Sequence, residues 1–236
     1  MFNKLISFCL EIFFPKHCLG CQKSGTYLCQ DCIACLDLLR DQYCLCKKPL
    51  IFSGKCHQCK TKNLDGLYSG LSYQRNLVKK IIHSFKYEPF IKELSQPLAF
   101  LIIEHFYLLE KQPSFFIDKT NFILIPIPMY LKRLKWRGFN QAEEIAKELS
   151  KLLSIPIIFN CLIKTKETQP QTELNHDERK ENIKGVFLIK NREKIKDKEI
   201  LLIDDVYTTG STMEEAAKKL KRAGAKTVIG ITIARG

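Results

Sequence analysis

The sequence contains no apolar run long enough to cross a bilayer. The N-terminal stretch MFNKLISFCLEIFFPKHC is apolar, but Glu11 interrupts it and no small-residue cleavage site follows. That argues against a secretory signal, and the stretch is expected to be a short helix docked on the body of the protein. Residues 121–236 hold no internal repeat, and no low-complexity linker divides the chain. Repeat-built folds are therefore not indicated. Long runs of a single charge are also missing. Thirty-eight lysines and arginines against 25 acidic residues give a net charge of +13, but the basic residues are dispersed. This balance favours polyanionic partners such as nucleic acid or phosphate-rich small molecules, and equally fits a solvated lysine-rich surface with no partner.

Cysteine is abundant instead. There are eleven, and ten precede residue 60. With no export signal the expected location is cytoplasmic, where cysteines are more often metal ligands than disulfides. A chain of 236 residues with 45% hydrophobic content has a core to bury, and a prior of about 150 residues per domain allows one domain plus a small module. Composition divides the chain into a cysteine-rich module, residues 1–64, and a larger domain, residues 65–236.

In the larger domain, FILIPIP (122–128) is an apolar run stopped by prolines, which suits a buried strand. NQAEEIAKELSKLL places Ala142, Ile145, Ala146, Leu149 and Leu152 on one helical face. IPIIFN (155–160) reads as a short strand, TKETQPQTELNHDERKEN as a polar stretch, and KGVFLIK and EILLID as strands. Ser211 and Glu214 form a capping-box pattern ahead of a helix whose apolar face is Met213, Ala216, Ala217 and Leu220, with Gly224 at its C-terminal end. KTVIGITIA is the next strand. Strand, helix and strand in succession predict an α/β fold, a parallel sheet with helices on its faces.

The sharpest feature is ILLIDDVYTTGST, residues 200–212. Asp204 and Asp205 fall at the carboxyl end of a parallel strand, the edge where open α/β sheets bind ligands. Thr208, Thr209, Gly210, Ser211 and Thr212 then lead into a helix N-terminus, where unpaired N–H groups and the helix dipole favour an anion. A phosphate fits the turn. The carboxylates suit vicinal hydroxyls or a hydrated Mg2+. Phosphate beside sugar hydroxyls describes a ribose 5-phosphate; the plainer reading is an acidic strand end before a capped helix.

LLIDDVYTTGST resembles the phosphoribosyl pyrophosphate (PRPP) motif of type I phosphoribosyltransferases. PIPMYLKRLKWRGFNQAEEIA, TQPQTELNHDERKENIKGVF, HSFKY and the cysteine-rich N-terminus are similar, in order, to the ComF family. The resemblance implies a type I phosphoribosyltransferase-like sheet preceded by a double zinc ribbon. It implies that Asp204 and Asp205 hold the ribose hydroxyls, and that residues 208–212 cradle the 5-phosphate. It places Arg133, Arg137 and the segment Gly138, Phe139, Asn140, Gln141 on the pyrophosphate side, and makes residues 165–182 a mobile loop bearing Gln171, Arg179 and Asn182. Arginine suits bidentate phosphate contact. Yet Arg133 and Arg137 equally solvate a loop, Asn140 equally caps the next helix, and the loop residues equally serve as surface polar groups. Lys86 in HSFKY is the weakest candidate of all, and His83 reads as a packed helix residue. No general base and no base-recognition hood stand out, so no catalytic residue is assigned.

Four cysteine pairs precede residue 60: Cys18 with Cys21, Cys29 with Cys32, Cys44 with Cys46, and Cys56 with Cys59. Short-spaced pairs let two sulfurs meet one tetrahedral zinc. One or two structural zinc ions are expected, with crossed ligation between pairs left open, and redox thiols or disulfides as the alternatives. Cys44 and Cys46 are separated by one residue where two are expected, and Cys35 can substitute for a ligand. The family resemblance implies a protein that binds PRPP with Mg2+ and handles single-stranded DNA with the DNA-uptake machinery during natural transformation. The alternatives are an active phosphoribosyltransferase of nucleotide metabolism or salvage, and a zinc-dependent DNA-binding protein with a vestigial or sensory PRPP site.

Overall fold

The computed structural model describes residues 15–40, 44–46, 55–110, 121–168 and 176–236. The expected N-terminal docking helix lies outside these residues, as does Gln171. Among the described residues no helix is long and apolar enough to cross a membrane. The elements run α1 (Gln30–Ala34), β1 (Gly66–Ser72), α2 (Asn76–Lys86), α3 (Ser95–Glu110), β2 (Phe122–Pro126), α4 (Leu131–Arg137) and α5 (Gln141–Leu153). They continue with β3 (Leu162–Lys164), α6 (His176–Ile183), β4 (Phe187–Ile189), β5 (Glu199–Tyr207), α7 (Ser211–Arg222) and β6 (Thr227–Arg235).

Four strands form one sheet in the order β1-β6-β5-β2, and every pair is parallel. β5 is buried from Ile200 to Ile203 because helices cover both faces. Alternate side chains serve opposite cores. Leu201 and Ile203 join the cluster under α2, α3 and α5, whereas Ile200 and Leu202 join the cluster under α7. Gly230 in β6 lets α7 approach closely: a Cβ there would sit 2.9 Å from the Met213 sulfur. The expected parallel sheet with flanking helices is present.

Several local expectations change in three dimensions. IPIIFN is not a strand; it contributes a single parallel bridge, Leu124 to Ile157, beside β2. KGVFLIK does form a strand, but β4 pairs antiparallel with β3 in a separate two-stranded ribbon. Leu152 is 51% exposed, although Ala142, Ile145, Ala146 and Leu149 are buried as the periodicity requires. Leu153, one residue on, packs against the core instead.

The cysteine-rich segment packs into both cores. Cys18, Leu28, Cys29 and Leu36 belong to one cluster and Cys44, Leu45, Cys59 and Leu64 to the other. Leu38 bridges antiparallel to Leu71, and the Leu39 N–H donates to the Gly70 carbonyl at 2.9 Å, so the segment pairs with the outer strand β1. Covering an edge strand satisfies backbone groups that would otherwise template association.

Candidate functional site

The carboxyl ends of β2 and β5 open into a cleft of about 310 Å³, lined among others by Lys86, Arg133, Arg137, Lys164, Asp204, Asp205, Thr208 and Thr212. Residues that lie far apart in sequence meet here. Asp205 receives the Lys86 ammonium at 2.8 Å, with Lys86 24% and Asp205 13% exposed. The Asp204 carboxylate accepts the Asp205 backbone N–H at 2.9 Å.

Two adjacent acids enclosed together cannot both ionise freely. Burial, and then the charge of Asp205, push the Asp204 carboxyl up to about 7. Burial disfavours the charged form of Lys86, but the two aspartates outweigh it and raise its pKa. The Lys164 ammonium donates to the Thr168 hydroxyl at 2.7 Å, and burial, with the Arg133 charge adding to it, brings its pKa down to about 8. Burial also lowers Arg137. The cleft therefore holds cations whose charge is costly without an anion beside them.

Arg137 makes that point structurally. It is a buried side chain. One terminal nitrogen donates to the Gln141 side-chain oxygen, and the guanidinium lies 5.7 Å from the centre of the Tyr87 ring. Among the described residues its buried Nε–H has no partner. Buried donors are almost always satisfied, so this one marks a place for an acceptor. The neighbouring candidates act on the frame of the cleft. Asn140 caps α5 by accepting the Ala142 N–H at 3.1 Å and donates to the Ile127 carbonyl at 3.0 Å. Gln141 donates to the Phe85 carbonyl at 3.0 Å. Gly138 ends α4 with φ 85° and does not line the cleft. Asn140 thus caps the helix and also lines the cleft, as does Gln141.

On the opposite wall, the turn after β5 enters α7 through Gly210 at φ 77°, which has no side chain to cap with, and the Ser211 N–H reaches the Thr209 hydroxyl oxygen at a long 3.4 Å. This corrects the capping-box expectation. Ser211 is already helical, and the Glu214 carboxylate turns away to accept the Asn63 N–H at 2.7 Å, the Asn63 amide at 2.8 Å and the Leu64 N–H at 3.2 Å. The helix N-terminus keeps its positive end toward the turn. Thr208 and Thr212 reach the cleft wall, while the Thr209 and Ser211 hydroxyls bond each other at 3.0 Å. From the polar stretch 165–182, Glu167 and Thr168 line the cleft; Arg179 and Asn182 lie in α6.

Sequence reasoning undervalued Lys86 and did not single out Tyr73, Tyr87 or Lys164, all of which line the cleft. Lys86 ends α2, directly ahead of Tyr87. A lysine at the end of an amphipathic helix has no distinctive local pattern; only the approach of β5 reveals its role.

The cysteines gather into two sets of four, Cys18, Cys21, Cys29 and Cys32, and Cys44, Cys46, Cys56 and Cys59, with all sulfurs of a set within 4.8 Å of one another. Sulfur–sulfur separations of 3.6 Å for Cys18 to Cys29, 3.6 Å for Cys21 to Cys29 and 3.4 Å for Cys46 to Cys56 approach the roughly 3.8 Å edge of a tetrahedron with zinc–sulfur bonds of about 2.3 Å. In each set a backbone N–H donates to the first sulfur: Cys29 to Cys18 at 3.4 Å, and Cys56 to Cys44 at 3.2 Å. The short Cys44–Cys46 spacing thus completes a tetrad, and the exposed Cys35 stays outside both. Contact with the Cys18 sulfur, and then burial, push the Cys32 thiol up to about 12, and burial does the same to Cys59. A divalent cation is what lets four such sulfurs ionise together. Zinc fits both donor sets.

Comparison with known proteins agrees with this geometry. A phosphoribosyl transferase domain model matches residues 135–236, from the end of α4 through the acidic pair and the hydroxyl turn to β6. Competence protein F of Haemophilus influenzae is 36% identical over 106 residues, 44% of this chain and 46% of that protein. The match thus spans about half the length of that relative. Competence protein ComFC of Streptococcus pneumoniae is 27% identical over 213 residues, 88% of this chain and 87% of that protein. A purine phosphoribosyltransferase from Pyrococcus horikoshii Ot3 is 19% identical over 60% of this chain and 82% of its own, with a TM-score of 0.31, a likeness too slight to carry argument.

Proposed function

The chain belongs to the ComF family and has a phosphoribosyltransferase-like fold, and from that membership we propose that its cleft binds PRPP with Mg2+ in the service of single-stranded DNA handling during DNA uptake. The observation that carries the ligand reading is the cleft's two-walled chemistry. Two carboxylates and a helix N-terminus with threonine hydroxyls lie on one wall, and a buried guanidinium with an orphaned N–H lies on the other. Asp204 and Asp205 accept the ribose hydroxyls. The turn from Thr208 to Thr212 receives the 5-phosphate. Arg137 and Arg133 face the pyrophosphate side, and Lys86 holds Asp205 in place. The carboxylates and the ligand's phosphates would hold Mg2+, which neutralises phosphate charge.

The DNA part of the reading rests on α4. Its Trp136 is 61% and its Leu131 60% exposed. Phe90 packs edge-on against the indole with centroids 5.0 Å apart. Lys132 and Lys135 are exposed on the same helix, and Arg133 lines the cleft mouth. An aromatic platform among cations is how single strands are held without sequence preference.

Calorimetric titration of PRPP with Mg2+ into zinc-loaded protein tests the ligand, beside the Asp204→Asn, Asp205→Asn variant. Binding that disappears in the variant is expected; no binding to either protein refutes the sugar-phosphate reading. In the same preparations, release of pyrophosphate with a panel of nitrogenous acceptors would identify a working transferase. Trp136 is the one tryptophan of the chain, so quenching of its fluorescence by oligo-dT reports the DNA surface. Salt-sensitive quenching is expected, and none at low salt would refute that surface.

A further inference from the structure

The end of β5 connects the hydroxyl turn to the second cysteine tetrad. Tyr207 follows the acidic pair and is buried at 7% exposure. Its ring lies against Gly210: a Cβ on that glycine would fall 2.2 Å from the Tyr207 hydroxyl oxygen, 2.4 Å from Cζ and 2.6 Å from Cε2. The left-handed step at Gly210 that leads into α7 is therefore backed directly by this ring.

Behind the ring stand residues 44 and 45. The Tyr207 hydroxyl donates to the Leu45 carbonyl across a long 3.4 Å. Arg235, at the end of β6, lies 5.9 Å over the Tyr207 ring and donates to the Cys44 carbonyl at 3.2 Å. Cys44 and Cys46 belong to the second tetrad. The segment that supplies two of its sulfurs is thus the same segment that closes over the back of Tyr207. Among the described residues, the first tetrad makes no comparable contact with the turn: its segment bonds to the N-cap and the middle of α2, through Asp37 to Arg75 and Leu19 to Lys80.

We infer that Tyr207 is a positioning residue for the phosphate turn and that metal in the second tetrad holds it there, so that zinc at this tetrad and a sugar phosphate at the turn bind cooperatively. This rests on the sugar-phosphate reading above. With zinc bound, Cys44 and Cys46 fix the carbonyls that Tyr207 and Arg235 bond. The ring is then held under Gly210, and the turn is preformed. Without it, residues 44–46 lose that anchor and the ring loses its backing. Coupling between sites is reciprocal, so a bound phosphate ligand must also retain the metal.

The test uses the full zinc-loaded chain and ribose 5-phosphate, whose binding is checked by calorimetry in the same sample. Zinc release to a chromogenic chelator is followed with and without the sugar phosphate. The expected result is two zinc equivalents, one released about tenfold more slowly when the ligand is bound and the other unchanged, within the usual range of site-to-site coupling. Tyr207→Leu should load the same two equivalents but lose the ligand effect, and Tyr207→Phe, which keeps the ring, should restore most of it. Ribose 5-phosphate that binds yet leaves both release rates unchanged overturns the inference. So does slowing that survives Tyr207→Leu. Failure of ribose 5-phosphate and PRPP to bind at all is a different outcome: it removes the sugar-phosphate reading, and the inference with it.

Discussion

Gly210→Ala is the substitution whose cost follows most directly from the structure. The residue has φ 77°, where a Cβ crowds the following carbonyl and costs about 1–2 kcal/mol. The new methyl would also lie 2.2–2.6 Å from three atoms of the Tyr207 ring. That ring cannot simply swing aside. It is buried, and its hydroxyl is bonded to the Leu45 carbonyl. Forcing a methyl into such a position adds about 1–3 kcal/mol of overpacking. The sum, about 2–5 kcal/mol, is a large share of the roughly 5–15 kcal/mol that keeps a domain folded. Urea unfolding of zinc-loaded protein should show a lower midpoint with an unchanged slope. In a Tyr207→Leu background the crowding is relieved while the backbone strain remains, so the cost of Gly210→Ala should fall to about 1–2 kcal/mol. A cost below about 1 kcal/mol in the native background, or an equal cost in both, would refute the proposed contact between ring and turn.

Two further predictions concern the cleft and the junction. The Asp204 carboxyl is raised to about 7 in the folded chain, so its protonated form is favoured by folding; this contribution to stability is complete below the unfolded carboxylate range and is lost as pH rises through about 7. Asp204→Asn should therefore lose less stability than wild type between pH 5 and pH 8, whereas Lys86→Met, which removes a cation that lowers the Asp204 pKa, should push the Asp204 titration higher, as followed by carboxyl NMR. Identical pH slopes in wild type and Asp204→Asn would contradict the assignment. At the junction, Glu214→Ala leaves the Asn63 and Leu64 N–H groups without their carboxylate and should cost about 2 kcal/mol in urea unfolding, more than Glu215→Ala one residue along.

Much of this protein was legible before folding was considered, because its signals are local. EILLID reads as a strand, and Met213, Ala216, Ala217 and Leu220 as one helical face, from spacing alone, and each is buried as read. The cysteine pairs stood out because ligands two or three positions apart meet at a tight knuckle whatever the surrounding fold; that they gather into two sets of four, with Cys35 outside, is decided by the folded chain. The acidic pair and hydroxyl turn were visible for the same reason. Where a local pattern had a distant competitor, the pattern lost. Ser211 and Glu214 had capping-box spacing, but Glu214 bonds to backbone and amide groups about 150 positions away, and Gly210 takes the capping position instead. Leu152 fits the helical spacing, but the core takes Leu153 instead. Lys86 and Asp205, and Tyr207 and Leu45, are partners only because parallel strands bring the ends of remote segments to one edge. Residue chemistry and short-range spacing thus determined which donor groups this chain offers. Only the tertiary structure decided which charges face one another and which cysteine tetrad lies behind the hydroxyl turn, since strand order and long-range contacts carry no local periodicity to read.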